Sequence, residues 1–171
     1  MNRLPSRPCL ALPFTILTAP GQVKAFSTGQ DSSGNPELFV IGLDDQVYAE
    51  KFGASDNPAS GYFLTSGGQV LAFRVGATAG QTPELFVLGL DSQIYAQKFD
   101  AAGNSASGYF LTRPGQVLDF STGFTGSDIV ELLVIGLDNQ VYGQQFDASG
   151  NSVTGYFLTR PGAVLGLRLT R

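Results

Sequence analysis

Six tyrosines and three glutamines that recur at intervals of 47 residues are the side chains best suited to binding a ligand. A tyrosine ring can stack on the apolar face of a sugar while its hydroxyl hydrogen-bonds, and a glutamine amide both donates and accepts. We predict a site in each repeat, formed by Tyr48, Tyr95, Tyr142, Tyr62, Tyr109, Tyr156, Gln46, Gln93 and Gln140. Packing between repeats is the alternative role for the tyrosines, and hydrogen bonding within a hairpin is the alternative for the glutamines.

The composition argues against catalysis. The chain has no histidine and a single cysteine, Cys9. Catalytic arrangements that depend on histidine are therefore excluded, and a zinc ion would find only Cys9 and carboxylates as ligands. A carboxylate pair could act in principle. However, the acids outside the repeat pattern, Asp56, Asp119 and Asp128, are predicted to lie in loops or on the surface. We predict a protein that is not an enzyme and that uses no metal or cofactor.

The acidic residues inside the repeat have structural explanations. One aspartate per repeat is predicted to form a tight hairpin turn, because aspartate and asparagine tolerate left-handed backbone geometry; these are Asp44, Asp91 and Asp138. One glutamate per repeat begins a strand and is predicted to cap it or to form a salt link; these are Glu37, Glu84 and Glu131. Residues 31–35, 100–104 and 147–151 lack the alternating carboxylates of a calcium loop and are predicted to be turns.

Charge and hydropathy restrict the partners. The formal net charge is −4, and the ten basic residues are thinly spread, which argues against nucleic acid. No apolar run approaches the ~20 residues of a membrane span. The first residues weakly resemble a signal peptide, but residues 16–23 repeat residues 110–117, so that apolar run belongs to the repeat. We predict a loose leader over residues 1–12. A single cysteine cannot form an intramolecular disulfide, so cysteine usage does not indicate the compartment.

A period of 47 residues organises the rest of the chain. Residues 84–91 have counterparts at 37–44 and 131–138, and Gln22, Gln69 and Gln116 recur in step. Such a fixed period indicates a solenoid, a propeller or another repeat array. We predict a repeat region over residues 13–171. Its parts are three repeats, at about 17–63, 64–110 and 111–157, and a partial repeat at 158–171.

Each repeat is predicted to contain four antiparallel strands. In the second repeat, residues 69–75 form the first strand, and residues 84–90 are apolar on both alternating faces, which predicts a strand buried on both sides. Residues 94–99 alternate and carry charge, so this third strand is predicted to lie nearer solvent. Residues 108–112 form a short fourth strand. Four strands in 47 residues fit a β-propeller blade or one lobe of a β-trefoil.

The ends of the repeat region favour the propeller. Residues 158–165 repeat residues 17–24, and in a closed threefold barrel both segments would claim the same place. A second strand that is buried on both faces also suits a blade held between two neighbours. We predict an all-β fold with about three and a half β-propeller blades, and the β-trefoil remains the alternative.

A family resemblance rests on the repeated motif. The order Glu–Leu–Phe–Val–x–Gly–x–Asp–x–Gln–x–Tyr, followed by a short strand and a Leu–Thr–x–Pro–Gly link, resembles the blade of tectonin-like bacterial β-propeller lectins over about residues 16–169. The resemblance implies a non-catalytic protein that binds sugars such as fucose in clefts between blades. It also implies an extracellular or cell-surface location. Tyrosine stands here in place of the tryptophan of the family's blade.

Two functions follow from these observations. The first is carbohydrate binding at blade junctions. The second is a structural or protein-interaction role within a larger or oligomeric assembly. Propellers have about four to eight blades, so three cannot close a ring. Open ends would expose apolar faces and strand edges, which favours association. We therefore expect glycans as partners, together with self-association or further blades of a longer chain.

Overall fold

The computed structural model describes residues 23–53, 57–78, 82–124 and 130–160. These residues form strands and no helix, which confirms the prediction of an all-β fold. In this part of the chain, no helix could therefore cross a membrane. The predicted leader at residues 1–12 and residues 161–171 of the partial repeat lie outside the described ranges.

The strands form three sheets of four antiparallel strands, and each sheet follows the order of the chain. The first sheet contains β1 (Val23–Gln30), β2 (Pro36–Gly42), β3 (Val47–Lys51) and β4 (Phe63–Leu64). The second contains β5 (Val70–Ala77), β6 (Pro83–Gly89), β7 (Ile94–Lys98) and β8 (Phe110–Leu111). The third contains β9 (Val117–Phe124), β10 (Val130–Gly136), β11 (Val141–Gln145) and β12 (Phe157–Arg160). The prediction of four antiparallel strands per repeat is confirmed.

The second strand of the second sheet is buried on both faces. Every residue of β6 is buried, as its uninterrupted apolar run predicted. The third strand lies nearer solvent than the second, as predicted, because Tyr95 and Lys98 of β7 are half-buried whereas every residue of β6 is buried. Ile94, Ala96 and Gln97 of β7 nevertheless have no exposed surface. The Gln97 amide nitrogen donates hydrogen bonds to the main-chain oxygens of Thr65, at 2.7 Å, and Ser107, at 2.9 Å. These bonds satisfy the amide nitrogen of a polar side chain inside the stack of sheets, whereas its amide oxygen is buried without a hydrogen-bond partner.

The sheets stack face to face, with one apolar core between each neighbouring pair. We call the face of a sheet that meets the following sheet its leading face, and the face that meets the preceding sheet its trailing face. In the first core, the leading face of the first sheet contributes Phe39 and Val47, and the trailing face of the second contributes Val70 and Phe73. The second core joins the second and third sheets through equivalent positions.

Aromatic contacts and the first strands tie the sheets together. The rings of Phe39 and Phe99 meet edge to face at 5.4 Å between centroids, and so do Phe86 and Phe146 in the next core. The first strands of adjacent sheets lie beside each other, β1 next to β5 and β5 next to β9. Each repeat therefore occupies the same place relative to its neighbour, so equivalent side chains have equivalent surroundings wherever a neighbour is present.

Candidate ligand-binding clefts

The motif Asp–x–Gln–x–Tyr forms a closed hydrogen-bond network at the hairpin between the second and third strands. In the second sheet, Asp91 Oδ1 accepts a bond from the Gln93 main-chain nitrogen, at 3.1 Å. Asp91 Oδ2 accepts bonds from Gln93 Nε2, at 3.1 Å, and from the Tyr95 hydroxyl, at 2.7 Å. The same bonds recur at Asp44 and Asp138. One carboxylate thus orients both a predicted glutamine and a predicted tyrosine.

The hairpin turn itself confirms the sequence prediction. The Gly89 nitrogen donates to the Gln93 oxygen and the Ser92 nitrogen donates to the Gly89 oxygen, both at 3.0 Å, which closes a three-residue loop. Ser92 has a φ of 61°. This left-handed conformation is the usual third position of such a loop. The residue that adopts the positive φ is the one after the motif aspartate, so the aspartate side chain remains free to accept the hairpin's donors.

A glycine that recurs in each repeat lies under the motif tyrosine. A Cβ at Gly89 would lie 3.2 Å from Tyr95 Cε2 and 2.7 Å from Asp91 Oδ1. The tyrosine ring and the carboxylate therefore occupy the space that any side chain would need. Gly42 and Gly136 have the same surroundings in the other two sheets.

The second tyrosine bridges two sheets in the second and third repeats. The hydroxyl oxygens of Tyr109 and Thr65 are 3.1 Å apart. The Thr65 hydroxyl donates to the Val47 main-chain oxygen at 2.9 Å, so it accepts from Tyr109. Tyr156 meets Thr112 in the same way at 3.4 Å. Burial raises the pKa of Tyr109 and of Tyr156. The hydroxyl groups of Tyr109 and Tyr156 therefore contribute to packing between repeats, which was the alternative role for the tyrosines.

The two kinds of tyrosine meet in a cleft at the same end of each of two sheets. In the third sheet, Tyr142 and Tyr156 line a cleft of about 440 Å³ together with Gly115, Gln116 and Val117. Its counterpart in the second sheet has a volume of about 190 Å³. It is lined at equivalent positions by Gly68, Gln69, Val70, Tyr95 and Tyr109. Each cleft thus combines two aromatic rings, two valines and an exposed glutamine.

The structure places the predicted residues in two groups. It brings Tyr95 together with Tyr109, and Tyr142 together with Tyr156. Gln93 and Gln140 are bonded to their hairpin aspartates, and Gln46 and Tyr48 make the same bonds in the first sheet. Tyr62 is half-buried. The glycine and glutamine that would complete a cleft beside it, at positions 21 and 22, lie outside the described residues.

Sequence reasoning missed the residues that face the tyrosines across each cleft. Gly68 and Gly115 have φ values of 143° and 151°, and a Cβ at Gly68 would lie 3.9 Å from the Tyr109 ring. Gln69 and Gln116 follow these glycines and are exposed at the cleft edge. The recurrence of this glutamine every 47 residues was the signal that could have identified it.

Electrostatics fix the protonation of the hairpin network. The hydrogen bond from Tyr95 lowers the pKa of Asp91 and raises the pKa of Tyr95. Asp138 and Tyr142 show the same pair of shifts. At neutral pH the carboxylate is therefore charged and the phenol neutral. The phenol O–H donates a hydrogen bond to the aspartate, so the phenol oxygen can still accept a hydrogen bond from a ligand in the cleft.

Buried glutamates lie at the opposite end of the sheets. Glu37 and Glu84 are buried without a hydrogen-bond partner for either carboxyl oxygen, so the predicted cap or salt link is wrong for both. The Nζ atoms of Lys51 and Lys98 instead bond the side-chain oxygens of Asn104 and Asn151 on the following sheet, both at 2.6 Å. Burial raises the pKa of Glu37 to about 7 and that of Glu84 to about 8.

The glutamates face the predicted turns of the following sheet, and those turns are confirmed. Asp100 Oδ1 accepts bonds from the main-chain nitrogens of Ala102 and Asn104, at 2.9 and 2.8 Å. Gly150 has a φ of 70°, and a Cβ there would lie 2.9 Å from both Glu84 carboxyl oxygens. Within the described ranges, no three acidic or cysteine side chains are grouped so as to hold a metal ion.

The clefts suit a small ligand with one apolar face and polar groups at its edge. The tyrosine rings offer surfaces for stacking, and the glutamine and phenol groups offer hydrogen bonds. A scan against protein-family models finds no family that matches this chain, and a search of curated proteins finds no match. The chemistry of the clefts is therefore the basis for assigning a function.

Proposed function

We propose that each four-stranded sheet is a blade of a tectonin-like β-propeller, and that the clefts bind carbohydrate without catalysis. The observation that carries this proposal is the recurrence of one cleft in two consecutive sheets, with two tyrosines and a glutamine at equivalent positions. A packing role alone would not require the exposed glutamine. A site of this kind presents one recognition unit per repeat.

The stacking of the sheets supports the propeller over the trefoil. Each sheet is a simple four-stranded meander, and its first strand lies beside the first strand of its neighbour. Propeller blades have this strand count and place their first strands around a central axis. Burial of β6 on both faces suits the middle one of three blades. In this proposal the three sheets are successive blades of an arc.

The chemistry of the clefts favours a sugar over other small ligands. A pyranose presents a face of C–H groups that stacks on an aromatic ring, and its hydroxyl groups both donate and accept hydrogen bonds. The third-sheet cleft, at about 440 Å³, lies within the range of about 300–1,000 Å³ that is usual for small-molecule sites. The second-sheet cleft is smaller, at about 190 Å³. Repetition of weak sites gives avidity for a surface that displays many sugars.

A glycan array at high protein density tests the proposal. We expect binding to a restricted set of glycans, and the double variant Tyr142→Ala/Tyr156→Ala should weaken it by about tenfold, since loss of aromatic stacking costs about 1.5 kcal/mol. Tyr156→Phe keeps the ring and should retain most of the binding. Val153→Ala is the matched control, because this exposed side chain of the third repeat is not among the residues lining that cleft.

Two results would contradict the proposal. One is an array without any binding although the protein is folded, as judged by its β-sheet circular dichroism. The other is binding that the tyrosine double variant leaves unchanged.

A further inference from the structure

A lysine, an asparagine and a buried glutamate meet at each of the two junctions between neighbouring sheets. At the second junction, Lys98 of β7 is paired in register with Glu84 of β6. The Lys98 Nζ atom bonds the side-chain oxygen of Asn151, on the following sheet, at 2.6 Å. The equivalent residues of the first junction have the same pairing and the same 2.6 Å bond; these are Glu37, Lys51 and Asn104. Two of the chain's three lysines are used in this way.

The glutamate is the member of each group that a hydrogen-bonded contact leaves unexplained. Glu84 is completely buried and neither of its carboxyl oxygens has a hydrogen-bond partner, although buried polar groups are normally paired. A Cβ at Gly150, the residue before Asn151, would lie 2.9 Å from both carboxyl oxygens, and a Cβ at Gly103 would overlap the Glu37 carboxyl group. The glycine therefore lets the carboxyl group approach the turn that carries the asparagine. An unpaired buried carboxyl group beside an amine and an amide indicates a chemical role.

The asparagine amide is held at both of its ends. Asn151 Nδ2 donates to Asp147 Oδ2 at 2.9 Å, and Asn151 Oδ1 accepts the bond from Lys98. Because a C=O bond is about 1.23 Å long, the lysine Nζ atom lies within about 3.8 Å of the asparagine Cγ atom. Groups that are held at about 3–3.5 Å are placed to react with each other. Asp100 holds Asn104 in the same way at the first junction.

We propose that the lysine and the asparagine of each junction become joined by an isopeptide bond, and that the buried glutamate transfers the protons of this reaction. The two bonds are Lys98–Asn151, with Glu84, and Lys51–Asn104, with Glu37. Each bond would tie two neighbouring sheets covalently. The third sheet has Gln145 at the position of Lys98, and a glutamine amide is not a nucleophile, so no such bond can begin there. This inference concerns the junctions and does not depend on what the clefts bind.

The reaction needs no other reactant. The Glu84 carboxylate first takes a proton from the Lys98 ammonium group, which leaves a free amine. The Nζ lone pair then attacks Asn151 Cγ, and the carboxyl group gives its proton to Oδ1. The carboxylate next moves a proton from Nζ to Nδ2, the Cγ–Nδ2 bond breaks and ammonia leaves, while the Oδ1 proton returns to the glutamate as the carbonyl forms again. The products are an amide between Nζ and Cγ, one molecule of ammonia and a protonated glutamate.

The surroundings of the glutamate suit a group that takes up and releases protons. Such a group works best when its pKa is near the operating pH, and burial raises the pKa of Glu84 to about 8. The charged groups that face it are Lys98 on β7, which lowers this pKa, and Asp147 on the following sheet, which raises it. On the other side, β5 places Gly76 opposite Glu84. Asn151 is exposed, so the ammonia has a route to solvent.

Mass spectrometry of the intact, denatured 171-residue chain tests the proposal. The measured mass should be lower than the mass of the sequence by one ammonia molecule for each bond. Lys98→Arg keeps the charge but removes the nucleophile, and Glu84→Gln keeps both reacting side chains but removes the proton carrier. Each variant should lose one bond and keep the bond of the first junction, which shows that the variant has folded. Lys24→Arg is the matched control, because Lys24 bonds the Asp45 carboxylate, and it should keep both bonds.

A tryptic digest locates the bonds. Trypsin does not cleave after a lysine whose Nζ atom is acylated, so we expect a branched peptide that contains both Lys98 and Asn151. A wild-type chain with the full mass of its sequence would overturn the proposal. A mass deficit without branched peptides would also overturn it, since an asparagine that cyclises onto its own main chain loses ammonia as well. A Glu84→Gln variant with both bonds would overturn the role of the glutamate. Because Lys98→Arg keeps Glu84, it also separates the effect of the bond on stability from that of the carboxyl group.

Discussion

The buried glutamate at the junction of the second and third sheets should make the fold sensitive to alkaline pH. Glu84 is completely buried, neither carboxyl oxygen has a hydrogen-bond partner, and burial raises its pKa from the ordinary value of 4.5 to about 8. Between these values the folded state binds a proton that the unfolded state has released. Stability therefore falls as the pH rises through this window.

The size of the effect follows from the two pKa values. The free energy of unfolding should fall by about 1.4 kcal/mol per pH unit, or by about 5 kcal/mol between pH 4.5 and 8. This is a large share of the roughly 5–15 kcal/mol that stabilises a typical domain. Glu37, with a pKa of about 7, adds a smaller loss in the same direction. Asp91 has a pKa below its ordinary value of 3.8. The stability that it contributes is therefore present above pH 3.8 and is lost at more acid pH, outside the window of Glu84.

Urea unfolding followed by far-ultraviolet circular dichroism between pH 5 and 9 measures the effect. Glu84→Gln removes the ionisation at nearly constant volume, so this variant should lose most of the slope and should be more stable than the wild type at pH 9. Glu131→Gln is the matched control, because Glu131 holds the same repeat position in the third sheet but is only half-buried. A wild-type free energy of unfolding that is constant from pH 5 to 8 would refute the reasoning. So would a Glu84→Gln variant with the wild-type slope.

Three further variants test single contacts by their free energies of unfolding. Gly89→Ala should cost about 1–3 kcal/mol, because the new Cβ would meet Asp91 Oδ1 at 2.7 Å, and Gly61→Ala, with no atom within 4 Å, should cost less. Gly150→Ala should cost more than Gly34→Ala, because both have a positive φ but only Gly150 has the Glu84 carboxyl beside it; equal costs would contradict this. Gln97→Leu should cost about 1–3 kcal/mol, because it removes the 2.7 Å bond to the main-chain oxygen of Thr65 and leaves that oxygen only the 3.4 Å bond from the Ser105 hydroxyl; an unchanged stability would show that the Gln97 bond is dispensable.

The number and type of the strands could be predicted because local patterns specify them. The apolar run of residues 84–90 has no polar face, and only a strand covered on both sides accommodates it. The hairpin after Gly89 follows from the aspartate that accepts its donors. Because the apolar run and the hairpin aspartate both recur every 47 residues, the three repeats give three independent predictions of the same strands.

The surroundings of the polar side chains could not be predicted, because the neighbouring sheet provides them. The alternation of β7 suggests a half-exposed strand, but the next sheet covers Ile94 and Ala96, and the Gln97 amide finds acceptors on the preceding link. Glu84 and Lys98 are paired in the register of β6 and β7, which favours a salt link, but the Lys98 Nζ atom bonds Asn151 of the following sheet instead. Such competition between sheets is not visible in one repeat.

The repeat pattern could predict which residue types line the clefts, but it could not predict which segments of the chain meet there. The pairing of Tyr95 with Tyr109 depends on how the chain folds back after β7, and the facing Gln69 comes from the link before β5. Three separate segments therefore form one cleft. The repeat period identifies all three, but only the structure shows that they meet.

The most direct test of the proposed function is the response of the six tyrosine rings to a sugar selected on the glycan array. Ring carbons labelled with ¹³C can be followed by nuclear magnetic resonance during a titration. We predict saturable shifts of the signals of Tyr95, Tyr109, Tyr142 and Tyr156. The signals of Tyr142 and Tyr156 should move with one common dissociation constant, because one ligand contacts both rings. Sugar binding that leaves all four signals unchanged would contradict the account and place the site elsewhere.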